Sequence, residues 1–101
     1  MIDTRSAILQ ALMKGESYGL DVIERVREMT GGRIKLMQGR VYPVLRELEA
    51  DGLLRSYDGE ALAERGGRPR RYYEITAEGR RAATADARAI AGLLKPALRA
   101  L

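Results

Sequence analysis

Arginine supplies most of the chemistry available to this chain, because histidine and cysteine are absent altogether. Without imidazole or thiolate the chain lacks the commonest general base, the commonest metal ligand and any disulfide. Its carboxylates form no evident acid and base pair, so the sequence reads as a non-enzyme with no cofactor and no metal. Eighteen lysines and arginines against fourteen carboxylates leave a net charge of +4, and where those charges lie says more than their sum. Arg40 and Arg46 belong to the stretch MQGRVYPVLRELEADGLL, residues 37–54, and Arg33 and Lys35 lead into it. Arg65, Arg68, Arg70 and Arg71 gather in AERGGRPRRYYEI, residues 63–75, where Glu64 is the acidic residue among them before Glu74. A guanidinium fork matches phosphate oxygens two at a time, and each B-DNA phosphate it neutralises releases condensed counterion. The chemistry on offer is recognition of a polyanion.

Such groups need rigid elements to aim them. From about Gln38 to Asp51, Val41, Val44, Leu45 and Leu48 recur at the three- and four-residue spacings of an amphipathic helix. The opposite face carries Gly39, Tyr42, Pro43, Arg46 and Ala50, with Arg40 and Glu47 on its flank, and Gly52 supplies a helix stop. Upstream, Asp3 or Thr4 caps a first helix running to about Met13, with Ile8, Leu9, Leu12 and Met13 turned inward. Ser17 is placed to cap a second, from Tyr18 to about Met29, with Leu20, Ile23 and Val26 repeating inward, backed by Val22 and Met29. Arg33 to Leu36 alternates polar and apolar residues, the pattern of a short strand. Leu54 to Tyr57 and Arg70 to Ile75 read as a strand pair joined by the long loop DGEALAERGGRP, which makes the hairpin a wing. Thr76 then caps a final helix.

In that last helix Ala83, Ala87, Ile90, Leu94, Ala97 and Leu101 follow one another at coiled-coil spacing, and Leu93 and Leu98 widen the apolar surface. A seam of this kind predicts a dimer. Pro96 predicts a kink between Gly92 and itself. A chain of 101 residues holds one core, divided here into a DNA-binding unit over 1–76 and a dimerisation helix over 77–101. No apolar run is long enough to span a membrane, and the start MIDTRSAILQALMKG has no small-residue cleavage site, so a cytoplasmic protein is expected.

Three helices, a two-stranded wing and a further helix make a mainly α, α+β architecture, the winged helix-turn-helix, in which the helix before the wing enters the major groove. On that reading Arg46, on a rigid helix, reaches base edges, while Arg65, Arg68 and Arg70 on or beside the glycine loop contact phosphate. Tyr42 either donates to a phosphate or packs its ring under the wing.

The stretches SYGLDVIERV (17–26), GRVYPVLRELEADGLL (39–54) and GGRPRRYYEITAEGRR (66–81) resemble, in order and spacing, the PadR family of transcriptional regulators, and the resemblance covers nearly the whole chain. It implies a homodimer, made through the C-terminal helix with help from the N-terminal one, that represses transcription from an inverted repeat in double-stranded DNA. Tyr42 and Pro43 match the family's recognition-helix pair, and Arg68 to Tyr73 match its wing. Arg40 and Met37 depart from it, standing where the family usually has a small hydroxyl residue and a serine cap. Some members hold flat aromatic compounds between dimer halves by tryptophan, which this chain lacks, so an effector is not carried over. The alternatives are a regulator of the same fold that responds to a hydrophobic small-molecule effector, and a winged-helix adaptor that binds protein.

Overall fold

The computed structural model describes residues 2–61, 66–67 and 69–101. Its elements run α1 (Thr4–Leu12), β1 (Ser17–Tyr18), α2 (Gly19–Met29), α3 (Gln38–Ala50), β2 (Leu54–Ala61), β3 (Pro69–Ile75) and α4 (Ala77–Arg99). Asp3, rather than Thr4, caps α1 by accepting the Ser6 amide at 2.8 Å. That bond lowers the Asp3 pKa, and slight burial works the other way. Ile8, Leu9 and Leu12 are buried, whereas Met13 turns outward at the helix end.

Ser17 does not cap α2. Its backbone and that of Tyr18 pair with Tyr73 and Tyr72 as β1, so the helix starts at Gly19, and the Ser17 hydroxyl donates to Asp21 instead. The inward stripe of α2 therefore runs through Gly19, Val22 and Val26, with Ile23 half-buried. Leu20 and Met29, expected inside, are 46% and 47% exposed. Residues 33–36 form no strand. Ile34 and Leu36 pack half-buried against the core while Arg33 and Lys35 face outward, so the alternation is one of burial alone. The backbone there is served by Thr30, whose hydroxyl donates to the Val26 carbonyl at 2.8 Å and accepts the Ile34 amide at 3.0 Å.

Helix α3 has the expected inward face, with Val41, Val44, Leu45 and Leu48 all buried. It closes at Gly52, whose φ of +79° lets the Leu53 amide turn back to the Leu48 carbonyl at 2.9 Å. β2 continues four residues past the expected end at Tyr57. Its register with β3 slips by one residue between Asp58↔Arg71 and Ala61↔Pro69, as at a bulge. The sheet is antiparallel in the order β1-β3-β2. From its inner face Leu54, Tyr73 and Ile75 join the helical core, and burial raises the Tyr73 phenol pKa. Arg65 and Arg68, expected toward the far end of the wing, lie outside the described residues.

Thr76 caps α4 by accepting the Gly79 amide at 3.1 Å, and the helix is not interrupted at Pro96. Gly79 and Ala83 are buried, and α1 clasps this end: Gln10 donates to the Ala83 carbonyl and Ser6 to Asp86, both at 2.7 Å. Ala83 thus belongs to the chain's own core, and the open apolar face begins at Ala87. Along it Ile90 is half-buried, Ala97 is exposed, and Leu93, Leu94, Leu98 and Leu101 are 73%, 48%, 57% and 98% exposed. Among the described residues no helix is long and apolar enough to cross a membrane.

Candidate nucleic-acid interface

Because Val41, Val44, Leu45 and Leu48 turn inward, α3 presents Gly39, Arg40, Tyr42, Pro43, Arg46 and Ala50 outward, and all six are exposed. The acidic residues near its end are drawn off this face. Glu47 and Asp51 bond to Arg5 of α1, the latter at 3.1 Å, and Glu49 accepts the Ser56 hydroxyl at 2.6 Å and the Ser56 amide at 3.2 Å. Burial works against the Arg5 charge, but bonds to Asp51 and Glu47 outweigh it and raise its pKa. Arg46 consequently does not pair with Glu49, its neighbour on the helix surface, and makes no ion pair among the described residues. Its guanidinium stays available to a ligand.

Tyr42 lies across the start of α2. A Cβ added to Gly19 would stand 2.5 Å from its Cε1 and 3.0 Å from its hydroxyl oxygen, so the ring packs here only because residue 19 has no side chain. Tyr18, Gly19, Leu20 and Tyr42 face Pro69, Arg70 and Arg71 of β3 across a recess of about 210 Å³. A wider depression of about 280 Å³, lined by Arg80, Arg81, Thr84, Ala85 and Arg88, is bounded by α4 alone. Among the described residues no cluster of carboxylates could hold a metal ion.

The two wing arginines that the sequence treats alike have different surroundings. Arg71 pairs with Asp58 across the strands at 3.1 Å, which raises its pKa. Arg70 sets its guanidinium 4.3 Å over the Tyr18 ring, and its Nε is buried with no partner among the described residues. Tyr18 meets the ring of Tyr72 edge-on at 5.6 Å, and Tyr72 stacks on Tyr57 at 5.7 Å and 15°. The Tyr57 hydroxyl donates to Glu16. An aromatic ladder thus crosses all three strands and supports Arg70.

Residues 8–85 match the model of the family described as "Transcriptional regulator PadR-like family". The chain belongs to this family. Over 72 residues this PadR-like regulator is 39% identical to Transcriptional regulator Rv3488 of Mycobacterium tuberculosis, a match that spans 71% of the chain and 64% of the relative's length. A transcriptional regulator from Clostridium thermocellum is 26% identical, with a TM-score of 0.76 over 94% of this chain and 89% of that one. Bacillus subtilis PadR, solved in complex with operator DNA, shares the fold with a TM-score of 0.70 at 23% identity, covering 80% of this chain and 43% of that one.

In this PadR-like chain, then, Tyr42, Pro43 and Arg46 share one open face with Gly39 in the first turn, Arg40 is exposed on its flank, and Arg33 and Lys35 are exposed just before it. Arg70 stands across the recess from Tyr42, whereas Arg71 is engaged by Asp58. Sequence reasoning overlooked Tyr18, Gly19, Tyr57 and Tyr72 as parts of the site. The available signal was a tyrosine in each strand of the expected hairpin and another beside Gly19, but only the register Tyr18↔Tyr72↔Tyr57 makes them neighbours.

Proposed function

We propose that this PadR-like regulator is a homodimeric, sequence-specific repressor that acts in the cytoplasm on an inverted repeat in double-stranded DNA. Residues 1–76 bind the DNA and 77–101 join the two protomers. The observation that carries this reading is the outward face of α3, where Arg40 and Arg46 stand open while the neighbouring carboxylates are held by Arg5 and Ser56. In the major groove Arg46 bonds base edges, Tyr42 and Arg40 reach the backbone, and Gly39 and Pro43 keep the helix surface low enough for close approach. Arg33, Lys35, Arg65, Arg68, Arg70 and Arg71 neutralise phosphates on either side. The Bacillus subtilis PadR complex with operator DNA supports the reading through the shared fold.

Dimerisation is supported by α4, where half-buried Ile90 and exposed Ala87, Leu93, Leu94, Ala97, Leu98 and Leu101 leave a run of apolar side chains facing water. The test is selection of duplexes from a random pool, followed by footprinting and sedimentation of the free protein. Protection is expected with dyad symmetry at half-sites roughly 34 Å apart, from a protein that sediments as a dimer. Asymmetric protection by a monomer would count against the proposal, as would a chain truncated after Arg88 that still sediments as a stable dimer.

A further inference from the structure

The pairing of β1 with β3 ends at Tyr18↔Tyr72 because Gly19 begins α2. Extending the antiparallel register would set Gly19 against Arg71 and Leu20 against Arg70. The chain turns into the helix instead, and the recess of about 210 Å³ occupies the fork, closed on one side by Tyr42 of α3. Its volume is several times the roughly 30 Å³ that a water molecule occupies in the liquid.

The lining points to an anion. Among the described residues that bound the recess none is a carboxylate, and Arg70 and Arg71 are both cations. Arg71 already has Asp58 as its counter-ion, so Arg70 is the cation there without one among the described residues. Arg70 is also the better constrained, with its guanidinium over the Tyr18 ring and a buried Nε that lacks an acceptor. Tyr42 brings a hydroxyl to the same recess, over the glycine that makes room for it. The start of α2 agrees, since Tyr18 provides no side-chain cap and the first-turn carboxylate, Asp21, is held by Ser17 and by Arg25 at 3.0 Å.

We propose that this recess is a phosphate subsite. One backbone phosphate of the bound duplex, lying between the groove entered by α3 and the wing, accepts from Arg70 and from the Tyr42 hydroxyl. Tyr18 is a positioning residue, whose ring, fixed by strand pairing and by the ladder to Tyr72 and Tyr57, carries the guanidinium into place. The assignment rests on the DNA-binding reading above and adds to it a defined phosphate site with a residue that acts through Arg70.

The test uses a duplex selected by the wild-type protein and remade with single neutral methylphosphonates, one position at a time. For the wild type, one position in each half-site should weaken binding by about tenfold or more, the loss of a charge-assisted bond. Arg70→Ala should silence that position and leave the response at the others. Tyr18→Ala should reproduce the Arg70→Ala profile, whereas Tyr18→Phe, which keeps the ring, should reproduce the wild type. Circular dichroism checks that each variant is folded, and Arg70→Gln stands in if Arg70→Ala is not. A wild type that binds its duplex while Arg70→Ala or Arg70→Gln keeps the same sensitive positions overturns the subsite and leaves the DNA reading standing. A Tyr18→Ala protein with the wild-type profile overturns the positioning role. A wild type that selects no duplex overturns both readings together.

Discussion

Gly19→Ala is expected to leave the fold standing and to damage DNA binding. The added methyl would lie 2.5 Å from Cε1 and 2.9 Å from Cζ of Tyr42, about 1 Å closer than a carbon contact of about 3.5 Å allows. The obstructing atoms are the far end of a side chain that is 36% exposed, so the ring swings toward solvent and the backbone stays. Forcing a side chain off its rotamer costs about 0.5–1.5 kcal/mol, and at the first residue of α2 alanine gains at most the roughly 0.5–1 kcal/mol it has over glycine in a helix interior, so stability falls by no more than about 1.5 kcal/mol. Binding has no such offset. A hydroxyl moved out of reach of phosphate forfeits a charge-assisted bond of about 1.5–3 kcal/mol per protomer, roughly a 10- to 100-fold loss of affinity. Urea denaturation reads the first quantity, and fluorescence anisotropy with the selected duplex reads the second. In a Tyr42→Ala background the clash is gone, so adding Gly19→Ala should weaken binding no further. The reasoning fails if Gly19→Ala binds like the wild type while Tyr42→Ala does not. It fails equally if the two losses simply add.

Further outcomes are expected elsewhere in the molecule. Leu45 is fully buried in α3, so Leu45→Ala should cost about 2–5 kcal/mol in chemical denaturation, and a loss of a few tenths would contradict the packing described. Arg46→Ala should cost about 1–3 kcal/mol on the selected duplex and much less on random DNA, because no ion pair among the described residues holds that side chain back. Equal losses on both DNAs would remove its role as a base reader. Bonding to the Ser6 amide lowers the Asp3 pKa, so its contribution to stability is present above the ordinary carboxylate value and lost as pH falls through the lower folded one. Asp3→Ala should therefore lower stability by about 1 kcal/mol at neutral pH and by next to nothing in strong acid. Thermal midpoints across that range check it, and a penalty that persists in acid would show that the ionised cap is not its source.

Features made within a turn or two of helix were legible in the sequence. The inward face of α3 follows from the spacing of Val41, Val44, Leu45 and Leu48, the stop at Gly52 from a residue that accepts a positive φ, and the cap at Thr76 from a hydroxyl three residues before the amide it accepts. The outward face of α3, and with it the cluster of Arg40, Tyr42, Pro43 and Arg46, came along because burying one side of a helix exposes the other. Long-range partners were not legible. Ser17 has the chemistry of a cap, yet its backbone is taken by Tyr73 from far along the chain. Residues 33–36 have the alternation of a strand and no strand to pair with.

What the sequence by itself determined is the order of the four helices and the hairpin, and which helix face carries the arginines, because each depends on periodicity and on hydrogen bonds that close within a few residues. Tertiary structure decided which carboxylates leave α3 for Arg5 and Ser56, and that Arg71 is neutralised by Asp58. It also decided that Arg70 rides on Tyr18 and that Tyr42 rests on Gly19. Each is a contact between side chains on different elements, set by strand register and helix placement, and adjacent arginines in one strand carry no mark of which faces a counter-ion and which an aromatic ring.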